Sequence, residues 1–133
     1  MFAGDSNSKI KSLIKELKNK KPDKIDSPEV RQLKGFIRKR EAIAATRYIG
    51  IPDSNTHFMN LPFYETGRIK KNPPSKKDIL MTASLINKIK PHQIYAAGDL
   101  EDPHGTHKVC LDIVFEALES LKGEKFIKDC WLW

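Results

Sequence analysis

Residues 93–107 read QIYAAGDLEDPHGTH, and this stretch decides the predicted fold. Residues 94–97 form a short apolar run between Pro91 and Gly98, which predicts a buried β-strand. A polar loop follows the run, and a helix with a clear apolar face begins after the loop. A strand, a polar loop and a helix in this order predict an α/β fold, in which ligands gather at the carboxyl end of the strand.

The polar loop concentrates side chains that bind metals or move protons. They are Asp99, Glu101, Asp102, His104 and, at the mouth of the helix, His107. Carboxylates and imidazoles that converge on one point can ligate a metal or act as general acid and base. The same residue types are also ordinary in a turn that joins a strand to a helix. Both interpretations are open from the pattern alone.

The two histidines have a spacing that suits a shared site. His104 and His107 are three residues apart, so both can lie over the first turn of a helix that begins near Gly105 or Thr106. The partial positive charge of a helix N-terminus disfavours a protonated imidazole. A neutral ring is the form that ligates a metal or hydrogen-bonds an oxyanion.

The charge distribution argues against a nucleic-acid partner. The net charge of +7 arises in residues 1–40, where twelve Lys or Arg stand against five Asp or Glu, and the rest of the chain is balanced. This basic segment holds only Phe2 and Phe36 as aromatic residues for base stacking. A solvated lysine-rich face is therefore the favoured interpretation.

The composition predicts a soluble protein of the cytoplasm. The chain has 133 residues, of which 31% are charged and 39% apolar. It contains no run of about 20 apolar residues and no recognisable leader, so we expect neither a membrane span nor secretion. Cys110 and Cys130 stand among apolar residues and read as small core residues rather than as a disulfide.

Helical periodicity fills most of the remaining sequence. The predicted helices begin at Ser6 or Ser8, at Ser27-Pro28-Glu29, at Ser75 with Asp78 as a capping-box partner, and near Thr106. We accordingly divide the chain into a basic helix and linker, residues 1–26, and an α/β region, residues 27–133.

The second predicted helix carries two patterns on neighbouring faces. Its predicted core stripe consists of Val30, Leu33, Ile37, Ala44 and Tyr48. Arg38 and Glu41 lie one turn apart beside this stripe, so we expect an ion pair between them.

The chain ends in an apolar strand-like run, Cys130-Trp131-Leu132-Trp133. The sequence predicts about three strands, at residues 57–61, 94–97 and 130–133, against four apolar helices, which is too little sheet to cover the helices. We therefore expect an incomplete domain, or strands shared with a second copy in a homodimer through the exposed edge that carries Trp131 and Trp133.

The order of these motifs resembles the later part of the PIG-L / LmbE family of zinc-dependent N-deacetylases, over roughly residues 27–133. The motifs are Arg38-x-x-Glu41 with Ala44-Ala45, Ile49-Gly50-Ile51, Ile89-Lys90-Pro91 before the strand, and Asp102-Pro103-His104-Gly105-Thr106-His107. The resemblance implies a partial Rossmann-like sheet with flanking helices. More narrowly, residues 35–121 resemble the PIG-L-like domain that follows a glucosamine-6-phosphate deaminase domain in one long chain of Bacteroidetes-type proteins.

The resemblance implies roles for individual residues. His107 matches the histidine that ligates zinc, and His104 matches the histidine that polarises the acetyl carbonyl and steadies the oxyanion. The implied substrate is an N-acetylglucosamine-type amino sugar, and the implied cofactor is zinc or another divalent metal in the parent protein. The implied supporting residues are Asp99, Asp102, Thr106, Arg38 and Glu41.

Two departures from the family pattern limit the implied activity. Thr106 stands where the family usually has an Asp that can orient an imidazole. The family's His-Pro-Asp-Asp run, which supplies two zinc ligands and the base, is missing, because the only histidine before residue 92 is His57 and Phe58-Met59 follows it. We therefore expect a chain that is inactive alone and belongs to a metal-dependent N-deacetylase. The alternative is a non-catalytic scaffold or regulatory domain of an amino-sugar-metabolising enzyme.

Overall fold

The computed structural model describes residues 3–22, 24–64, 71–97, 101 and 103–133, with side chains from residue 8 onward. The helices are α1 (Ala3–Lys18), α2 (Pro28–Tyr48), α3 (Lys76–Ile89) and α4 (Thr106–Ser120). The strands are β1 (Gln93–Ile94) and β2 (Trp131–Leu132), and 3-10 turns span Asp53–Asn55 and Lys125–Asp129. Described residues up to Phe58 form one compact unit, unit 1, and those from Met59 onward form another, unit 2.

The predicted α/β fold class is wrong. The described residues are mostly helical, and their two strands of two residues each form a small parallel sheet. This arrangement is not a Rossmann-like sheet with flanking helices. Of the buried strand predicted at residues 94–97, only Ile94 belongs to a regular strand, although one further backbone hydrogen bond reaches Ala96, and Tyr95 is 76% exposed. A four-residue apolar run is too short for its pattern to establish burial, which depends on a partner strand far away in the sequence.

In unit 1, the start of α2 agrees with the sequence prediction. The Ser27 hydroxyl accepts a hydrogen bond from the Val30 N–H, and Pro28 occupies the first helical position. The predicted core stripe is wrong beyond its first member, because Val30 is buried whereas Leu33, Ile37 and Tyr48 are exposed. Within the described part of unit 1, α1 is the only other α-helix, so most of the α2 surface has no layer to pack against.

The segment between α1 and α2 is polar but not fully solvated. Asp26 is buried, and its carboxylate forms ion pairs with Lys20 and, at 2.9 Å, with the Lys34 ammonium. The Ser27 hydroxyl donates a hydrogen bond of 2.8 Å to the Glu16 carboxylate. These contacts tie the end of α1 to the beginning of α2 through side chains.

In unit 2, α3 packs against α4 around a small apolar core. Its buried members are Ala83, Ile86 and Ala117, and the half-buried residues packed on them are Ile79, Ile94, Leu118, Leu121, Phe126 and Ile127. The spacing of apolar residues predicts an inward face on α3 that consists of Ile79, Ala83, Leu85, Ile86 and Ile89, and of these only Ile89 is exposed. The predicted capping box at Ser75 and Asp78 is confirmed.

The sheet of unit 2 joins residues on either side of α4. Gln93 pairs with Trp131 and Ile94 with Leu132 in a parallel register. Ile94 contacts the α3–α4 core, so the sheet lies against the two helices. The predicted strand near the end of the chain is confirmed at Trp131–Leu132.

Three smaller expectations can be compared with the structure. The short strand predicted at residues 57–61 is wrong, because these residues have no regular secondary structure. Cys110 and Cys130 are free and half-buried, and burial raises the pKa of the Cys110 thiol. Among the described helices, none has the length and apolarity needed to cross a membrane.

Candidate functional site

The two predicted site histidines flank the beginning of α4. His104 lies two residues before the helix, Thr106 is its first residue, and His107 is its second. Both histidine side chains are exposed, and Thr106 is half-buried. The structure therefore gives both imidazoles access from solvent at one helix entry.

Gly105 makes the turn that brings the chain into α4. Its φ is +66°, a left-handed conformation that residues with a Cβ adopt at a cost. Its carbonyl accepts the first hydrogen bond of the helix, from the Val109 N–H at 3.1 Å. Backbone conformation rather than lack of space favours glycine here, because a Cβ at this position would meet no atom within 4 Å.

The first turn of α4 has no acidic residue, and its N-cap residue, Gly105, has no side chain that could accept a hydrogen bond. Ser, Thr, Asp and Asn are preferred at this position in helices because their side chains accept a hydrogen bond from one of the first N–H groups. The positive end of the helix dipole therefore acts on the neighbourhood of His104 and His107 without a local carboxylate from the first turn. A helix N-terminus of this kind favours anionic groups.

The carboxylates predicted beside the histidines are only partly accounted for. Asp99 and Asp102 lie outside the described residues, and Glu101 is exposed. Among residues that the structure describes, no group of three His, Cys, Asp or Glu side chains is arranged to hold a metal ion. His107 therefore stands as one candidate ligand, and the described residues do not complete a zinc site.

Arg38 and Glu41 form the ion pair that their spacing predicts. The Arg38 Nη1 atom lies 2.8 Å from the Glu41 Oε2 atom, and both side chains are exposed. Water and salt screen such a pair, so its contribution to stability is small. Both residues belong to unit 1, whereas the histidines belong to unit 2.

The sequence pattern predicts only a capping role for Asp78, yet this side chain is the most buried ionisable group among the described residues of unit 2. Asp78 is completely buried at the start of α3. Burial alone would raise the pKa of Asp78, but hydrogen bonds from Ser75 and from the Phe63 backbone outweigh it and hold the pKa below its usual value. The Ser-x-x-Asp spacing signals the cap, whereas no local pattern signals the contact with Phe63.

Comparison with known proteins gives one informative similarity. The chain is 50% identical over 129 residues to a protein of Bacteroides thetaiotaomicron named "Putative glucosamine-6-phosphate deaminase-like protein". The match covers 96% of this chain and 20% of that protein, so the chain spans about a fifth of the length of the curated relative it matches. The relative's name agrees with the deaminase-linked chain that the resemblance implies, whereas membership of the PIG-L / LmbE family stays a prediction.

The other two comparisons find no match. No family model matches the chain. No solved structure matches it either.

Proposed function

We propose that this chain acts within a longer amino-sugar enzyme, as the histidine-bearing part of an N-deacetylase that hydrolyses the acetamido group of an N-acetylglucosamine-type substrate. The amino-sugar assignment is supported by the deaminase-like name of a relative that is 50% identical over nearly the whole chain. The observation that carries the deacetylase assignment is the exposure of His104 and His107 together at the start of α4.

His104 has the role of an electrophilic hydrogen-bond donor in this proposal. Attack of water on the acetamide places negative charge on the carbonyl oxygen, and a ring N–H of His104 donates a hydrogen bond to that oxygen as the charge develops. The nearby positive end of α4 favours the same negative charge. Removal of one such donor typically lowers kcat by about 10²–10³-fold.

His107 is the residue of this chain that would ligate a divalent metal. Catalytic zinc usually has about three protein ligands and one open position, and the described residues do not form such a set. The remaining ligands and the base that deprotonates water would come from outside the described residues. We therefore assign no catalytic step to a metal.

A second candidate function is a non-catalytic scaffold or regulatory domain of an amino-sugar-metabolising enzyme. The observation that favours it is the apolar surface of α2, where Phe36 and Ile37 are exposed and Tyr48 is 93% exposed. Large exposed apolar side chains suit contact with another protein surface. In this case the turn at Gly105 serves only to begin α4.

Substrate assays on the longer protein that carries this sequence separate the two functions. We would measure acetate release from N-acetylglucosamine and its 6-phosphate, and ammonia release from glucosamine 6-phosphate. The variants are His104→Ala and His107→Ala, and His92→Ala is the matched control because His92 is also exposed in unit 2 and uses its backbone carbonyl in the sheet.

The deacetylase proposal expects acetate release that falls at least about 10²-fold in His104→Ala and is lost in His107→Ala, with the control unchanged. Acetate release that all three variants retain would assign the chemistry to other residues. Ammonia release alone, insensitive to both substitutions, would favour the scaffold.

A further inference from the structure

The sheet of unit 2 exposes a group of aromatic side chains that neither candidate function uses. Trp131 lies beside Gln93 in the parallel register. The pairing continues one step further, because the Trp133 N–H donates to the Ile94 carbonyl at 2.9 Å and the Ala96 N–H donates to the Trp133 carbonyl at 3.0 Å. These two bonds place Trp133 beside Tyr95.

Four side chains therefore occupy one face of the sheet, which we name the aromatic face: Gln93, Tyr95, Trp131 and Trp133. Alternate residues of a strand point to the same side, and the Tyr95 hydroxyl donates a 3.3 Å hydrogen bond to the Gln93 side-chain oxygen. Tyr95 is 76% exposed, Trp131 67% and Trp133 65%. None of the four carries a charge.

The opposite face of the same sheet is covered. Ile94 packs against the α3–α4 core, and Leu132 is half-buried. Among the residues that the structure describes, the sheet thus has a helical layer on one side and exposed side chains on the other. Parallel sheets occur almost entirely with both faces covered, and stable sheets usually have three or more strands.

Leaving the aromatic face in water has a large cost. Each Tyr or Trp side chain buries about 150–250 Å² when it is covered, and apolar area removed from water contributes about 25 cal/mol per Å². Contiguous exposed apolar patches of this kind mark contact surfaces. Because the face has no charge, the surface that covers it should be apolar too.

We propose that the aromatic face is an internal interface, covered by another part of the same longer polypeptide. The matched relative extends far beyond the segment equivalent to this chain, which is a fifth of its length, so it has ample polypeptide to provide a second layer. The inference rests on the proposed function only in placing this chain within a longer protein, and it does not depend on deacetylase chemistry.

Hydroxyl-radical footprinting read by mass spectrometry tests the interface directly. Oxidation rates at Tyr95, Trp131 and Trp133 would be measured in the longer protein and in the 133-residue chain at two concentrations. We expect oxidation several-fold slower in the longer protein at all three residues, and rates in the 133-residue chain that do not change with its concentration. The absolute rates in the longer protein decide the result, so it does not depend on how well the short chain folds.

A pair of substitutions gives an independent measurement. Trp131→Ser should lower the Tm of the longer protein by several degrees and leave that of the 133-residue chain unchanged, since Trp131 is exposed in the latter. Lys122→Ser is the control, because Lys122 pairs only with Glu119 on the surface among the described contacts, and it should be neutral in both.

Three results would overturn the proposal. They are fast oxidation of the aromatic face in the longer protein, an unchanged Tm for Trp131→Ser in the longer protein, and protection that appears in the 133-residue chain as its concentration rises, which would assign the face to a second copy. Loss of acetate release bears on the proposed function alone and leaves the footprint unchanged.

Discussion

The buried carboxylate of Asp78 accepts a hydrogen bond of 3.1 Å from the backbone N–H of Phe63, which lies fifteen residues earlier in the chain. The same carboxylate accepts hydrogen bonds from the hydroxyl and the N–H of Ser75. One side chain thus completes the capping box of α3 and binds the backbone of Phe63.

Replacing Asp78 should destabilise unit 2. Asp78→Ala removes a helix cap and leaves the buried Phe63 N–H without this acceptor, so we expect a loss of about 2–4 kcal/mol in the free energy of unfolding. Asp78→Asn keeps one acceptor oxygen and should lose less. Denaturant unfolding followed by circular dichroism measures both. Equal stability of Asp78→Ala and the parent chain would contradict the assigned role.

The same carboxylate should make stability depend on acid pH. The pKa of Asp78 in the folded chain lies below its usual value, so its contribution is fully present above about pH 4, the pKa range of an unfolded Asp, and is lost as the pH falls through the folded pKa. The stability difference between the parent chain and Asp78→Asn should therefore shrink below about pH 4. Unfolding curves at pH 6 and at successively lower pH give this difference. A difference that grows in acid would reverse the predicted sign.

The ion pairs of Asp26 should contribute more to the free energy of folding than the pair between Arg38 and Glu41 on α2. Asp26 is buried between Lys20 and Lys34, so Asp26→Ala should cost about 1–3 kcal/mol of folding free energy. The lysines are partly exposed and can be rehydrated, which limits the loss. Glu41→Ala is the control, because its pair with Arg38 is exposed and contributes about 0–1 kcal/mol. Similar losses for the two variants would show that burial of Asp26 is unimportant.

The stability of the chain should depend on how well the residue at position 105, just before α4, tolerates a positive φ. Gly105→Ala should destabilise the chain by about 1–2 kcal/mol, because a Cβ disfavours this left-handed conformation although space is available. Gly105→Asn should be closer to neutral, since Asn tolerates that conformation best among residues with a Cβ. Thermal unfolding of the two variants provides the comparison. If both behave alike, conformation at Gly105 does not limit stability.

The parts of the fold that sequence predicts correctly depend on neighbouring residues. Ser27 with Pro28 marks the beginning of α2, Ser75 with Asp78 marks that of α3, and the apolar face of α4 is visible from its spacing. Such signals act within one or two helical turns and need no knowledge of the rest of the molecule.

The wrong sequence predictions concern burial, that is, whether another part of the molecule packs over the apolar face of a helix or strand. The stripe of α2 looks like a core face at Leu33 and Ile37, yet both are exposed, and the run at 94–97 looks like a buried strand, yet Tyr95 is exposed. Periodicity shows which side chains share a face and says nothing about whether a layer lies over it. For the candidate site, the positions of His104 and His107 at the beginning of α4 follow from sequence, and their roles in metal binding and catalysis stay predictions.

The parallel pairing of Gln93 with Trp131 has a consequence for the order of folding. The segment between the two residues contains the whole of α4, so their pairing closes a long loop and costs chain entropy. The two-residue strands form few hydrogen bonds to offset this cost. Packing of α3 on α4 involves more apolar surface and should precede it. We therefore expect the docking of α3 on α4 to set the barrier to folding of unit 2, and the strands to join after that barrier has been crossed.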